Sequence, residues 1–134
     1  MNKKEAFLKF GIKQKNERWS WAGISDDKSL VVLTIWTDQR EWHQETKTFS
    51  TSTFNCRNEV WRDSKGNIER IEIIQYCIDK LDGKFRVIFM TPKDENIFDG
   101  KREYIKAVPF MKAWFKIMEF NQQTGEFSSI SLNE

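Results

Sequence analysis

Two β-rich segments separated by a turn constrain the fold of this chain more than any other feature. Residues 30–36 are a run of β-branched and aromatic side chains, which favours a strand. Residues 17–25 also have strand character, and the polar cluster at 26–29 is typical of a turn. The sequence therefore predicts a β-hairpin with a two-residue loop at Asp27 and Lys28.

The register of this hairpin separates its side chains into two faces, because alternate residues of a strand point to opposite sides. The facing pairs on the first side are Trp19 and Trp36, Trp21 and Thr34, and Gly23 and Val32. The second side carries the small or aliphatic residues Ser20, Ala22, Ile24, Val31, Leu33 and Ile35. The second side suits a protein interior. The indole side either stacks on a planar ligand or packs beneath a helix.

The remaining pattern predicts an α+β fold. The clearest helix is predicted at 67–81, where isoleucines recur at helical spacing before the stop signal Asp82-Gly83. A short N-terminal helix is predicted at 2–10, ending at Gly11. Further strands are predicted near 45–50, 85–90, 102–108, 113–120 and 126–132. Two helices and five to seven strands indicate a small mixed β-barrel or curled sheet with the main helix packed on it.

Length and composition narrow the class of protein. A chain of 134 residues is expected to form one domain, residues 1–134. No apolar run is long enough for a membrane helix and no signal peptide is visible, so no membrane partner is expected. Cys56 and Cys77 are too few for a disulfide framework, which favours a cytoplasmic location.

The charge is unevenly distributed although the formal net charge is only +2. Residues 1–18 contain six basic and two acidic side chains. Such a segment either binds phosphate groups or is simply a solvated surface. A charged loop after the strand at 85–90 adds further basic residues. The candidate phosphate contacts are Lys13, Lys15, Arg18, Lys93 and Arg102.

The signals for catalysis are weak. His43 is the sole histidine, and nothing marks either cysteine as a nucleophile beside it. Three acid-x-Lys triplets begin at Asp63, Asp82 and Asp99, but all three lie at predicted turns. No glycine-rich phosphate loop is present. We therefore expect no catalytic residue, no metal site and no cofactor, and a protein that is not an enzyme.

Two segments carry a resemblance to known domains. The residues Asn16-Glu-Arg-Trp-Ser-Trp21 and Leu33-Thr-Ile-Trp-Thr-Asp38 resemble small domains found with bacterial restriction and HNH-type nuclease systems. The overall pattern is also similar to PUA-like modules, the relatives of EVE, YTH and SRA domains. That resemblance implies a barrel whose aromatic pocket reads a modified or flipped base. It would place Trp19, Trp21 and Trp36 in the pocket, and Asn16 and Asp38 at its rim.

These observations predict a nucleic-acid-binding module whose partner is DNA or RNA. The alternative is a protein-interaction or inhibitor module, linked to phage or defence systems, that uses exposed aromatic side chains against another protein. An enzyme acting on small planar substrates is a third alternative. For Asn16 the simpler interpretation is a turn residue, since asparagine favours turns.

Overall fold

The computed structural model describes residues 1–54, 60–95 and 102–133. Within these ranges the chain forms two α-helices, a short 3-10 helix and seven strands. The helices are α1 (Lys3–Lys9) and α2 (Lys65–Lys80), and the 3-10 helix is Thr37–Gln39. The strands are β1 (Ala22–Ile24), β2 (Val31–Trp36), β3 (Arg40–His43), β4 (Thr48–Ser52), β5 (Lys84–Pro92), β6 (Tyr104–Phe120) and β7 (Phe127–Ser131).

All seven strands belong to one mixed sheet in the order β1-β2-β5-β6-β7-β4-β3. The pairing of β2 with β5 is parallel and the other pairings are antiparallel. The sheet is strongly curled, because Phe49 of β4 and Phe89 of β5 stand only 5.8 Å apart between ring centroids although two strands separate them. It does not close, since β1 and β3 have no pairing with one another in the described ranges. The α+β class is confirmed, and the closed-barrel alternative is wrong.

The two helices cover opposite faces of this sheet. On the inner face, α2 contacts β1, β2 and β5 above a core that includes Leu33, Val87 and Phe115. On the outer face, α1 packs Ala6 and Phe7 against a second apolar cluster. Both helices bury apolar side chains, so both faces of β2 and of the central part of β5 are interior, and these segments are mostly apolar.

The N-terminal helix begins where its sequence provides a capping box. The Asn2 side chain accepts a hydrogen bond from the Glu5 backbone N–H at 2.8 Å, and the Glu5 carboxylate accepts one from the Asn2 N–H at 3.1 Å. The predicted helix at 2–10 is confirmed with tighter bounds. The predicted helix at 67–81 is likewise confirmed, but it begins two residues earlier, after Ser64. Asn67 therefore lies inside its first turn and does not cap it.

The predicted hairpin has the expected register and a longer loop. Ala22 pairs with Leu33 and Gly23 with Val32, as the sequence predicts. The pairing continues to Ser25, whose N–H donates to the Leu30 carbonyl at 2.9 Å, so the loop has four residues rather than two. The strand is shorter than predicted, because residues 17–19 form a turn. Trp19 therefore lies outside the ladder and does not pair with Trp36.

Strands β3 and β6 differ from expectation. The sequence predicts no strand at 40–43, because these residues are mostly polar; all but the last are exposed in the structure. The two strands predicted at 102–108 and 113–120 are one long strand, which carries a register irregularity opposite β5 between Phe85 and Val87. Pro109 lies opposite Ile88, in the part of β6 that does not pair with β7. Proline is tolerated on such a strand edge because its missing N–H interrupts no ladder there.

Candidate functional site

Trp21 packs against the start of α2. Its ring makes an edge contact with Trp61, with centroids 6.1 Å apart, and lies 4.8 Å from the guanidinium of Arg70. The fit against the helix backbone is tight, because a Cβ added at Gly66 would stand 2.5 Å from the Trp21 indole nitrogen. Trp21 therefore belongs to the packing of α2, which is the structural alternative that the sequence left open.

Arg70 occupies a box of aromatic rings beneath α2. Its guanidinium carbon lies 4.8 Å from Trp21, 5.3 Å from Trp61 and 5.2 Å from Phe127. Burial lowers the pKa of Arg70 to about 9, which still leaves the guanidinium charged at neutral pH. A box of this kind binds cationic ligands in other proteins. Here the protein's own arginine fills it.

Trp36, Asp38 and Arg102 come together on the outer face. The guanidinium of Arg102 stands 4.7 Å from the Trp36 ring and forms a two-pronged ion pair with the Asp38 carboxylate. The Arg102 side chain is only 3% exposed. Arg102 is therefore held inside the fold, whereas a phosphate contact requires an exposed guanidinium.

The predicted wall of three indoles does not form. Trp21 packs with the residues of α2 on the inner face, and Trp36 adjoins the cluster under α1 on the outer face. The alternation of strand side chains fails at Trp21 because this residue precedes the first residue of β1. Trp19 is half-buried in the preceding turn. Ligand binding by these residues stays a prediction, but it cannot involve one shared surface.

Asn16 organises that turn. Its side-chain carbonyl accepts hydrogen bonds from the backbone N–H groups of Arg18 at 2.9 Å and Trp19 at 3.3 Å. Its own N–H donates to the Ser20 hydroxyl at 3.0 Å. These are the contacts of an asparagine turn, in which the side chain replaces a backbone acceptor. The side-chain oxygen of Asn16 is thus engaged in local structure.

A buried polar cluster ties the same segment to α1. The Lys3 ammonium donates to the carbonyls of Ser20 at 2.9 Å and Arg18 at 3.3 Å, and the Gln14 amide donates to the Ser20 carbonyl at 3.2 Å. Burial lowers the pKa of Lys3 to about 8, with the nearby Glu69 charge opposing the shift. Burial also raises the pKa of Glu69. Because the donors go to backbone carbonyls, the cluster serves to hold residues 14–20 in place.

Because the charge of Lys3 is buried, the stability of the protein is expected to depend on pH. Unfolded Lys3 stays protonated up to about pH 10.5, whereas folded Lys3 loses its proton near pH 8. The cost of burying the charge is therefore fully present below pH 8 and is relieved as the pH rises towards 10.5. The free energy of unfolding of the wild type, relative to Lys3→Met, should rise across this window by up to about 3 kcal/mol. Urea melts at successive pH values would measure it, and a difference that stays constant with pH would contradict this assignment.

Four of the five predicted phosphate contacts lie at the surface. Lys13, Lys15 and Arg18 are exposed, and none has an ion pair within the described ranges. Lys93 is also exposed but lies 3.3 Å from the Glu103 carboxylate. The first three thus keep their charge available to a ligand, while that of Lys93 is partly neutralised.

The sequence prediction missed an open aromatic surface on the inner face, beyond the strands that α2 covers. We call it the concave aromatic patch, and it consists of Arg40, Trp42, Phe49, Val108 and Phe110. Trp42 and Phe49 are directly opposed on β3 and β4, with ring centroids 4.9 Å apart, and Phe49 lies 5.6 Å from Phe110. Trp42 is 48% exposed and Val108 is 43% exposed. Exposed apolar side chains that form a contiguous patch are typical of interaction sites, whereas single ones are common on any surface.

The electrostatic character of the concave aromatic patch is basic. The Arg40 guanidinium lies 4.7 Å from the Phe89 ring and 5.6 Å from the Phe49 ring. No carboxylate in the described part of the chain forms an ion pair with it. Lys106 is exposed and, two residues before Val108 on β6, shares its face. The period-two spacing of Arg40 and Trp42 is the signal that could have revealed this strand.

Groups that could support catalysis or bind a metal are sparse. Among the residues described there is no cluster of three or more His, Cys, Asp or Glu side chains that could hold a metal ion. Cys77 is buried, its thiol donates to the Lys84 carbonyl at 3.2 Å, and burial raises its pKa to about 12. His43 contacts the Ser50 hydroxyl at 2.7 Å. Cys56 and the triplet at Asp99 lie outside the described ranges.

The described helices include none that is long and apolar enough to cross a membrane. Neither a protein-family model, a curated protein nor a solved structure matches the chain. The resemblance to PUA-like modules therefore stays a prediction.

Proposed function

We propose that this protein is a nucleic-acid-binding module that stacks an unpaired base on the concave aromatic patch. The observation that carries the proposal is the Trp42 indole, which is half-exposed on a concave surface and backed edge-on by Phe49. The proposal keeps the function predicted from the sequence and moves the base from Trp19, Trp21 and Trp36 to Trp42.

The indole of Trp42 is held ready for stacking. Its ring nitrogen donates to the Gln44 side chain at 3.0 Å, and Phe49 packs against the indole in an edge contact. A side chain already fixed in one rotamer loses little entropy when a ligand binds. A base stacked on an aromatic side chain gains about 1–3 kcal/mol.

Cations around the patch supply the second part of the interaction. Arg40 and Lys106 lie on the same face as Trp42 and Val108 and can approach the phosphates that flank a stacked base. Base faces are covered in a duplex, so the ligand would be a single strand or a flipped nucleotide. The binding experiment below compares DNA with RNA and modified with unmodified bases.

The proposal includes three finer points that come from the sequence. We propose a PUA-like origin for the curled sheet, a cytoplasmic location, and a function in binding without catalysis. The curl of the seven-stranded sheet supports the first point, although this sheet is open and the resemblance implies a barrel. Any cleavage of nucleic acid would then reside in a partner protein.

Replacing Trp42 with alanine tests the proposal. We expect the affinity for a fluorescein-labelled single-stranded oligonucleotide at low salt to fall about 5- to 150-fold, because one base–indole stack is lost. Fluorescence anisotropy with DNA and RNA probes, including probes with methylated bases, would measure the change. The expected affinity loss is smaller for a duplex of the same sequence.

The matched control is Trp114→Ala. Trp114 is also a partly exposed indole beside a cation, with the Arg86 guanidinium 4.1 Å from its ring, but it alternates with the inward-facing Phe115 and so lies on the other face of β6. Affinity should be unchanged in this variant. Equal losses in both variants, or no binding of any probe by the folded wild type, would remove the support for a nucleic-acid function.

The second candidate function, a protein-interaction or inhibitor module, has an observation of its own. The patch borders β3, which pairs only with β4 in the described part of the chain and so has an open backbone edge. Exposed aromatic and arginine side chains beside an open strand are typical of interaction surfaces. A stable complex with a different protein that quenches Trp42 without nucleic acid would favour this function.

A further inference from the structure

The open edge of the sheet at β3 is accessible along most of its length. Arg40, Glu41 and Trp42 are all exposed, and β3 is the last strand in the sheet order. Open edges present unpaired backbone groups that bind a further strand, and proteins commonly block them with proline, bulges, charged side chains or a very short strand. Strand β3, Arg-Glu-Trp-His, has no proline and no bulge in its register with β4, so its protection is limited to its short length and the charges of Arg40 and Glu41.

The direction of the free backbone groups follows from a side-chain contact on β4. The Phe49 N–H donates to the Ser131 hydroxyl at 2.8 Å, so it points towards β7 and away from β3. Phe49 and Trp42 are opposed across the β3–β4 ladder and hence form a non-hydrogen-bonded pair. The N–H and C=O of Trp42 therefore point to the open edge, and those of Arg40 do the same two residues earlier.

Three symmetric registers bring these free groups opposite one another in an antiparallel pairing of β3 with β3 of a second copy. A two-fold axis perpendicular to the sheet keeps the inner faces on one side, so the pairs are Trp42 with Trp42, Trp42 with Arg40, or Arg40 with Arg40 of the other copy. The last register would place two guanidinium groups directly opposite one another, which is repulsive. The second register would place Glu41 directly opposite Glu41 of the second copy, which is repulsive. The first places Glu41 of each copy opposite His43 of the other copy. The dimer then contains two symmetry-related pairs of a carboxylate and an imidazole.

We propose that this chain self-associates through β3 in the first register, with the two Trp42 residues on the two-fold axis. The pairing would join two seven-stranded sheets into one and make their concave aromatic patches continuous. This self-association does not depend on the proposed function. The register is determined by Glu41 and His43, whose side chains lie on the outer face, opposite the concave aromatic patch. The interface is short, so a weak dimer is expected, which forms at about 100 µM protein or above.

Charge exchange at the outer face tests the register. Sedimentation equilibrium should show a reversible monomer–dimer equilibrium for the wild type. Glu41→Lys and His43→Glu, each alone, should weaken the dimer at least about 10-fold, because each places like or unpaired charges opposite one another. The exchanged variant Glu41→His with His43→Glu should restore it. Glu41 is exposed and His43 is half-buried beside Ser50, so thermal melts would check that each variant is folded.

Two outcomes would overturn the proposal. A wild-type protein that stays monomeric up to about 1 mM has no such interface, and a dimer that is equally stable in Glu41→Lys uses another surface. The same variants separate this inference from the nucleic-acid function. Glu41→Lys removes the dimer but leaves Trp42, Arg40 and Lys106 in place, so a monomer that still binds the oligonucleotide supports the proposed function alone.

Discussion

Replacing Asn67 with leucine is expected to lower the free energy of unfolding by about 3–5 kcal/mol. Asn67 is fully buried, and its side chain connects three parts of the fold. Its amide donates to the carbonyls of Arg62 at 2.9 Å and Thr124 at 2.8 Å, and its oxygen accepts from the Arg70 guanidinium at 2.9 Å. Leucine would leave two carbonyls and one buried cation without these partners, and such groups are costly.

Urea denaturation would measure this effect, and Glu72→Leu on the same helix is the control. Glu72 is exposed, so its replacement should change stability by less than about 0.5 kcal/mol. Gly125→Ala should behave like Asn67→Leu, because Gly125 has φ +83 and an added Cβ would overlap the Asn67 side chain. An Asn67→Leu protein as stable as the wild type would show that this network is absent in solution.

Replacing Asp38 with asparagine is expected to cost about 3 kcal/mol, the second largest effect. The change removes the two-pronged ion pair between the Asp38 carboxylate and the buried Arg102 guanidinium. The further change Arg102→Met should recover much of the loss, since an apolar side chain removes the buried charge. Thermal melts of the single and double variants would measure the coupling.

The same variants test the phosphate contact that the sequence predicts for Arg102. Removing a side chain that binds phosphate lowers both the affinity for the nucleic acid and the salt dependence of that affinity. We expect the double variant to bind the oligonucleotide as the wild type does, because Arg102 is buried. A flatter salt dependence in the double variant would show that Arg102 reaches the ligand.

The parts of the fold that the sequence predicts correctly are those with local signals. The register of the first hairpin follows from strand alternation and the turn cluster at 26–29. Helix α2 follows from the spacing of its isoleucines, and α1 from Asn2 and Glu5. In each case side chains only a few residues apart decide the conformation, so periodicity is informative.

The parts that the sequence did not predict depend on contacts between distant segments. Trp21 lies one residue before β1, and its packing is set by Trp61 and Arg70, about 40 to 50 residues away. Strand β3 is polar and exposed, so no apolar alternation marks it. In the concave aromatic patch β6 lies close to β3 and β4, although β7 separates them in the sheet, and only the curl of the sheet brings them together. The cluster of tryptophans at residues 19–36 therefore did not indicate which tryptophan is most exposed.

The most direct test of the nucleic-acid proposal is to observe the indole N–H signals of all six tryptophans by NMR during titration with a single-stranded oligonucleotide. Assignment would use single Trp→Phe variants. We predict that the Trp42 signal shifts with ligand concentration, while those of Trp21 and Trp61, which are packed around Arg70, stay in place. A titration that leaves Trp42 unchanged, or that moves only Trp19 or Trp36, would contradict the account.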